Sequence, residues 1–256
     1  MDVCHPGINS EAEEPSSVGV VSNYLSDSNE FAGLFFYQSP GQEAINPSFL
    51  ELYVKKMFHQ AQKHRSIKNV IVLRDGISEG QYQMFVEKEM NAIIEATSEI
   101  KANYIAMIVT KDGITRHFMD ISDRIQSMPS RSFISFGCRF GFNQMYMVAH
   151  NSTLGTARTA MITVLRDDMN LSKIELQTFL LGLTHMHQIV NAPISLPAPL
   201  QQTDSLAEHG QKGFRALKKE HERDIPKRDD GTIEYMQLSN LLNCSNGELP
   251  STRYTA

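Results

Sequence analysis

The sequence predicts a mixed α/β fold, a sheet flanked by helices. Val70-Ile71-Val72-Leu73 is apolar at every position, the pattern of a strand buried on both faces at the centre of a helix-covered sheet. Early strand candidates are joined by short links, whereas later ones alternate with long helical stretches. Two of those stretches open on a capping box, Ser78 with Gln81 and Ser172 with Glu175.

In chain order, strands are expected at Ser17–Val21 and Phe31–Gln38, after and between polar segments rich in Ser, Asn, Glu and Asp. Phe49, Leu50, Tyr53, Val54, Met57 and Phe58 have helical spacing, and Pro47-Ser48 is the start signal. The apolar strand at residues 70–73 runs into Asp75-Gly76. The helix behind Ser78 carries Tyr82, Phe85, Val86, Met90, Ile93 and Ile94 on one stripe. Strands follow at Tyr104–Thr110, Phe140–Ala149 and Ala160–Leu165, with a polar, Ser-rich loop expected over 119–132. The helix behind Ser172 carries Leu176, Phe179, Leu180, Leu183 and Val190. Pro193, Pro197 and Pro199 then break the chain, and Asp204–Arg223 reads as helix. Residues 1–225 are expected to form one domain and 226–256 a polar C-terminal tail.

The bulk numbers narrow the function classes. Of 256 residues, 41% are hydrophobic and 21% charged, ordinary for a globular chain. The net charge of -5 runs against a uniformly basic nucleic-acid binder, although a local groove can be basic on an acidic protein. Cys4, Cys138 and Cys244 form no CxxC pair, which points to a reduced intracellular protein rather than a zinc site or disulfide scaffold. The opening residues have no signal-peptide pattern. The longest apolar runs, such as Tyr104–Val109, are too short to span a bilayer, so no membrane partner is expected.

Asp75 stands where a buried strand ends and a helix is about to start, the edge at which open α/β sheets bind ligands. Asp-Gly alone is also a common turn. Asp2 before the Pro6 break and Glu43 after the Phe31–Gln38 strand add further carboxylates. Acidic groups from distant segments can converge on divalent metals, as two-metal phosphodiester cleavage requires. His185 and His187, two apart, fall on different faces of a helix and read as core or surface residues, and His5 as part of a turn before Pro6. Most Met residues, including Met84, Met90 and Met107, fit core positions.

Longer motifs carry a resemblance. Leu73-Arg74-Asp75-Gly76-Ile77-Ser78-Glu79-Gly80-Gln81 resembles the Argonaute signature "YRDGVSEGQ". Asp2-Val3-Cys4-His5-Pro6 resembles "DVTHP", with Cys for Thr. Gly155-Thr156-Ala157-Arg158 resembles "GTSRP", Val164-Leu165-Arg166-Asp167-Asp168 resembles "VLWDDN", and Ser195-Leu196-Pro197-Ala198-Pro199 resembles "SIPAP". The final Tyr254-Thr255-Ala256 is similar to the family's terminal "YFA". The matches run in order over residues 1–210.

The resemblance to the Argonaute/Piwi family implies an RNase H-like PIWI domain. It implies a carboxylate set in which Asp2, Glu43, Asp75 and Asp204 take the catalytic positions, with Asp2, Asp75 and Asp204 as ligands of Mg²⁺ or Mn²⁺. It implies contacts to guide or target backbone from Lys111, Arg116, Arg158 and Ser195. The implied partners are a small guide RNA, a complementary target RNA and silencing-complex proteins, and the implied location is the cytoplasm or nucleus. There are departures. The apolar strand that precedes the first Asp in the family is missing here, as are the N, PAZ and MID domains. Asp112 and His209 stand where the family usually has Arg, and Gln201 replaces a Tyr. Two readings follow: an RNA-silencing protein with metal-dependent endonuclease chemistry, weak or inactive in this short chain, or a non-catalytic Argonaute-like interaction module.

Overall fold

The computed structural model describes residues 1–7, 13–111, 115–139, 141–152 and 155–243, and of 136–139 the backbone alone. Asp112, Cys244 and Tyr254-Thr255-Ala256 lie outside the described residues, as does the Cys138 side chain. The fold is mixed α/β, and the chain divides into two units. One comprises Met1–Lys68, Ser78–Ala102 and Gln202–Ala256, the other Asn69–Ile77 and Asn103–Gln201.

The first unit is built on an antiparallel sheet ordered β1 (Asp2–Cys4), β2 (Ser16–Ser22), β3 (Ala32–Gln38). Every residue of β3 is buried because both faces are covered. Phe36 stacks on Tyr53 of α1 (Pro47–Gln62), with ring centroids 5.1 Å apart. Phe35 and Tyr37 point the other way, into a cluster with Leu206 and Phe214 of α5 (Ala198–His221) and Leu238 of α6 (Tyr235–Leu242). Helix α1 starts as its sequence dictates: Pro47 fills the first turn, where its missing N–H costs nothing, and the Asn46 side chain accepts from the Ser48 and Phe49 amides. The expected capping box forms at Ser78, whose amide donates to Gln81 Oε1 at 2.8 Å. The helical stretch behind it is not uniform. α2 (Tyr82–Met84) passes into a π-helical segment, Phe85–Met90, before α3 (Asn91–Ala96), which packs on α1.

α5 lies directly on the backbone of β2. A Cβ at Gly19 would sit 2.1 Å from the Thr203 carbonyl oxygen, so only glycine admits this approach. Farther along α5, the Gly210 carbonyl accepts the Tyr37 hydroxyl at 2.6 Å. Gln211 Nε2 donates to the carbonyls of Cys4 (3.2 Å) and Pro15 (2.7 Å), fastening β1 and the entry to β2. The stretch after α5 holds a 3-10 turn (Glu222–Asp224), a bridge between Lys227 and Ile233, and α6. α6 caps β3: the Tyr37 amide donates to Ser239 Oγ (2.9 Å) and Asn243 Nδ2 to the Phe35 carbonyl (2.9 Å).

The second unit holds a mixed sheet ordered β4 (Asn69–Asp75), β5 (Asn103–Thr110), β10 (Ala160–Asp167), β9 (Phe142–Val148), β8 (Ser132–Arg139). β4 and β5 are parallel; the other pairs are antiparallel. Three expectations need correction. β4 is terminal in this sheet rather than central, with β5 as its ladder partner, and only Val72, Leu73 and Arg74 are buried. The polar loop over 119–132 is instead a hairpin, β6 (Phe118–Ile121) and β7 (Arg124–Ser127), followed by β8. Its turn puts Ser122 and Asp123 at positive φ (53° and 57°), the twist that two-residue hairpin turns need. Finally, α4 (Lys173–Thr184) stops before Val190, which is exposed. His185 is its C-cap, with Nδ1–H donating to the Leu181 carbonyl at 3.0 Å, and His187 lies beyond the helix.

Candidate nucleic-acid and carboxylate site

Asp2, Glu43 and Asp204 belong to the first unit. β1 pairs with β2 so that Asp2 faces Gly19, Val3 faces Val18 and Cys4 faces Ser17. Gly19 is also where the Thr203 carbonyl of α5 touches β2. The strand register and the glycine contact therefore bring the Asp2 and Asp204 positions to one neighbourhood. The Cys4 thiol registers their charge. Burial raises it most, and the carboxylates of Asp2, Glu208 and Asp204 raise it further, against Arg215. Asp2 is half-buried, and its Oδ1 accepts the Val3 amide at 2.8 Å. β2 gives this residue a ladder partner in a sheet. Glu208, one turn after Asp204 on α5, is an acidic neighbour that the motifs do not reveal; it is also paired with Lys212 at 2.9 Å.

Glu43 sits on the connection between β3 and α1. Its Oε2 lies 2.8 Å from His5 Nε2, and His5 Nδ1 lies 2.9 Å from Ser16 Oγ. His5 is thus more than a turn residue. It ties the segment after β1 to the loop that presents Glu43.

Asp75, Lys111, Arg116, Arg158 and Ser195 belong to the second unit. Asp75 ends β4, and its Oδ1 accepts the Gly76 amide at 2.7 Å. Gly76 has φ 84°, a turn conformation that favours glycine. The preceding Arg74 is fully buried, its guanidinium donating to the Asp75 carbonyl. The ladder places several of the expected residues at one end of the sheet. Asp75 is opposite Val109 and Thr110 is opposite Met161, so the ends of β4 and β5 adjoin the start of β10. Ala160 is opposite Met147, so the end of β9 adjoins the same place. Lys111 just after β5, Arg158 just before β10 and His150 just after β9 therefore share an end with Asp75. That end is the carboxyl end of the parallel pair, where α/β sheets bind ligands. His150 was not singled out from sequence. Burial lowers its basicity first and the Lys111 ammonium lowers it further, which places the two side chains near one another. Arg158 is exposed. Arg116 precedes His117, whose ring packs on Tyr146 of β9 at 4.7 Å. Ser195 lies in the α4–α5 connection, next to Ile194, whose amide donates to the Thr184 carbonyl at 3.0 Å.

A Piwi domain family model matches residues 1–215. The chain belongs to the Piwi-domain family. Protein argonaute 4 of Arabidopsis thaliana is 28% identical over 220 residues, covering 78% of this chain and 23% of that protein. Argonaute protein wago-1 of Caenorhabditis elegans is 29% identical over 208 residues, covering 77% of this chain and 22% of that protein. The chain thus spans less than a quarter of the curated relatives it matches. Among solved structures, the Kluyveromyces polysporus Argonaute with a guide RNA superposes with TM-score 0.73 at 19% identity, over 87% of this chain and 29% of that one. The C-terminal lobe of a budding yeast Argonaute gives TM-score 0.71 at 17% identity, over 86% of this chain and 48% of that one. These likenesses establish the fold.

The carboxylates offer the oxygen donors that Mg²⁺ and Mn²⁺ prefer, and the charges of Asp2 and Asp204 are both felt at Cys4, so the donor chemistry fits a hard divalent cation. Among the described residues, however, no three His, Cys, Asp or Glu side chains are arranged to hold an ion. No helix among the described residues is long and apolar enough to cross a membrane.

Proposed function

We propose that this Piwi domain binds a small guide RNA paired to its target, and that the carboxyl end of the β4–β5 pair is the binding edge. The observation that carries this reading is the shared position of Lys111, Arg158 and His150 at one end of the sheet, beside Asp75. Their donors suit phosphate oxygens, and such contacts hold a backbone without reading its bases. A duplex of RNA is recognised mainly through its A-form shape and its phosphates. Arg116 and Ser195 extend the same contact set on the strength of the family motifs. Asp2, Asp75 and Asp204 would hold Mg²⁺ or Mn²⁺, with Glu43 completing the set; a metal there would activate water and neutralise charge at the scissile phosphate. The proposed setting is RNA silencing in the cytoplasm or nucleus, alongside other silencing-complex proteins.

Binding supplies the test. Affinity for a guide–target RNA duplex is expected to fall steeply with salt and to vary little with sequence. Arg158→Ala is expected to weaken binding by a similar factor for every sequence and to reduce the salt slope by roughly 1. A titration that is flat with salt, or a variant that loses affinity for some sequences only, rejects the proposed edge. The second reading, a non-catalytic interaction module, draws on the net charge of -5.

A further inference from the structure

The loop that carries Glu43, residues 39–46, is fastened by two side chains that face each other across a ladder. Ser16 of β2 and Gln38 of β3 are direct register partners, and both are buried. Directly opposed residues of an antiparallel pair project to the same face, so the two side chains stand together. Gln38 Nε2 donates to the carbonyls of Gln42 (2.6 Å) and Ala44 (3.2 Å), and its Oε1 accepts the Asn46 amide (2.9 Å). Both amide hydrogens are used, and all three bonds fall on this loop. Ser16 Oγ accepts the Gly41 amide at 3.2 Å and lies 2.9 Å from His5 Nδ1. From the far side, the buried Glu89, on the π-helical segment, accepts the Ile45 amide through Oε1 at 3.0 Å.

With a neutral His5 ring, the donor and acceptor pattern sets what Ser16 does. An ionised carboxylate only accepts, so the 2.8 Å contact to Glu43 Oε2 needs the hydrogen on His5 Nε2. In neutral imidazole, Nδ1 is then an acceptor, and the Ser16 hydroxyl is the group placed to donate to it. A lone pair of the same oxygen takes the Gly41 amide. One hydroxyl thus couples the backbone turn at Gly41 to the ring tautomer that holds Glu43.

We propose that Ser16 and Gln38 are positioning residues, a cross-strand clamp that presents Glu43, with Ser16 holding the His5 ring through its Nδ1. The purpose of the clamp rests on the reading of Glu43 as one of the cleavage carboxylates. Its existence does not, and the test separates the two. The variants are Ser16→Ala, Ser16→Thr, Gln38→Met and Gln38→Glu. The last keeps the acceptor for Asn46 but loses both donors. The readouts on the full chain are amide hydrogen exchange over 41–46 and the ¹⁵N shifts of the His5 ring.

Losing two or more of these bonds is expected to speed exchange over 41–46 roughly tenfold, with α1 and β5 unchanged as controls for folding. Ser16→Ala is expected to move the His5 Nδ1 resonance away from that of a hydrogen-bonded acceptor, and Ser16→Thr to restore it. In a form of the protein that cleaves, kcat is expected to drop by roughly tenfold or more at unchanged affinity for the guide–target duplex. Exchange that stays put in Gln38→Met and Gln38→Glu, or a His5 ring indifferent to Ser16→Ala, overturns the clamp. A loosened loop with an unchanged kcat overturns its positioning role. If no form of the protein cleaves, the cleavage reading fails, while exchange and ring shifts still decide the clamp.

Discussion

Asp168 is held by one motif neighbour and by one residue of a distant strand. The Arg166 guanidinium bonds it at 2.9 Å, and the Tyr104 amide adds a bond at 3.1 Å. Arg166, the Tyr104 amide and the Arg166 charge together hold the Asp168 carboxyl below the usual carboxylate range. A depressed folded value means that the contribution is present above the unfolded pKa of about 3.9 and is lost as pH falls through the folded value. Side-chain exposures of 38% and 32% leave the pair well screened, so Asp168→Asn is expected to cost no more than about 1 kcal/mol at neutral pH. Urea midpoints at pH 7 and in strong acid check this: the gap between the two proteins should close in acid, and a gap that widens contradicts it. At this scale the sequence was informative where a motif was long. Asp75 was placed at the end of a strand by its neighbours alone, and it ends β4. His5 and Ser16 were opaque because their roles depend on contacts with residues far along the chain. Glu43, for instance, is 38 positions from His5.

Elements were legible when their signal was local. The N-terminus of α1 and both boxes at Ser78 and Ser172 follow from side chains within three residues of the helix start. The β6–β7 hairpin was missed because Ser122-Asp123 is not one of the Asn-Gly or Asp-Gly pairs that announce such a turn. β8 was missed because its residues 132–139 mix Ser and Gly with the apolar positions. The terminal place of β4 was invisible for a different reason: an all-apolar run reports burial, not the number of ladder partners. Gly19 is the strongest element-scale prediction. A methyl there meets the Thr203 carbonyl at 2.1 Å, a backbone atom of α5 that cannot rotate away. Gly19→Ala is therefore expected to cost about 1–3 kcal/mol, read as a drop in the denaturant midpoint. A variant as stable as the parent would mean that α5 does not rest on β2 in solution.

For the whole molecule, the two units matter more than any single residue, because the expected carboxylates are divided between them. Asp2, Glu43 and Asp204 are in one unit and Asp75 is in the other. Two-metal cleavage needs ions roughly 3.5–4 Å apart held by shared carboxylates, a tolerance that only a rigid scaffold meets. β1, which carries Asp2, is three residues long, and β2 and Gln211 are what hold it. Those contacts keep Asp2 in a sheet, yet a three-residue strand offers few ladder bonds to resist displacement. We therefore expect this chain alone to show little or no guide-directed cleavage with Mg²⁺ or Mn²⁺. An N-terminal extension that lengthens β1 with an apolar strand and adds a guide-anchoring domain is expected to raise cleavage, with Asp75→Ala as the control. Both forms should bind duplex RNA in a salt-dependent way, since the basic positions at the sheet end are common to both, and the extended form should show the steeper slope because its anchoring domain adds phosphate contacts. Robust cutting by the short chain, abolished by Asp75→Ala, would show that three residues of β1 suffice. Salt-dependent binding by both forms with cleavage by neither would leave the domain as an RNA-binding module, and would move the interest in Glu43 from chemistry to the loop that displays it.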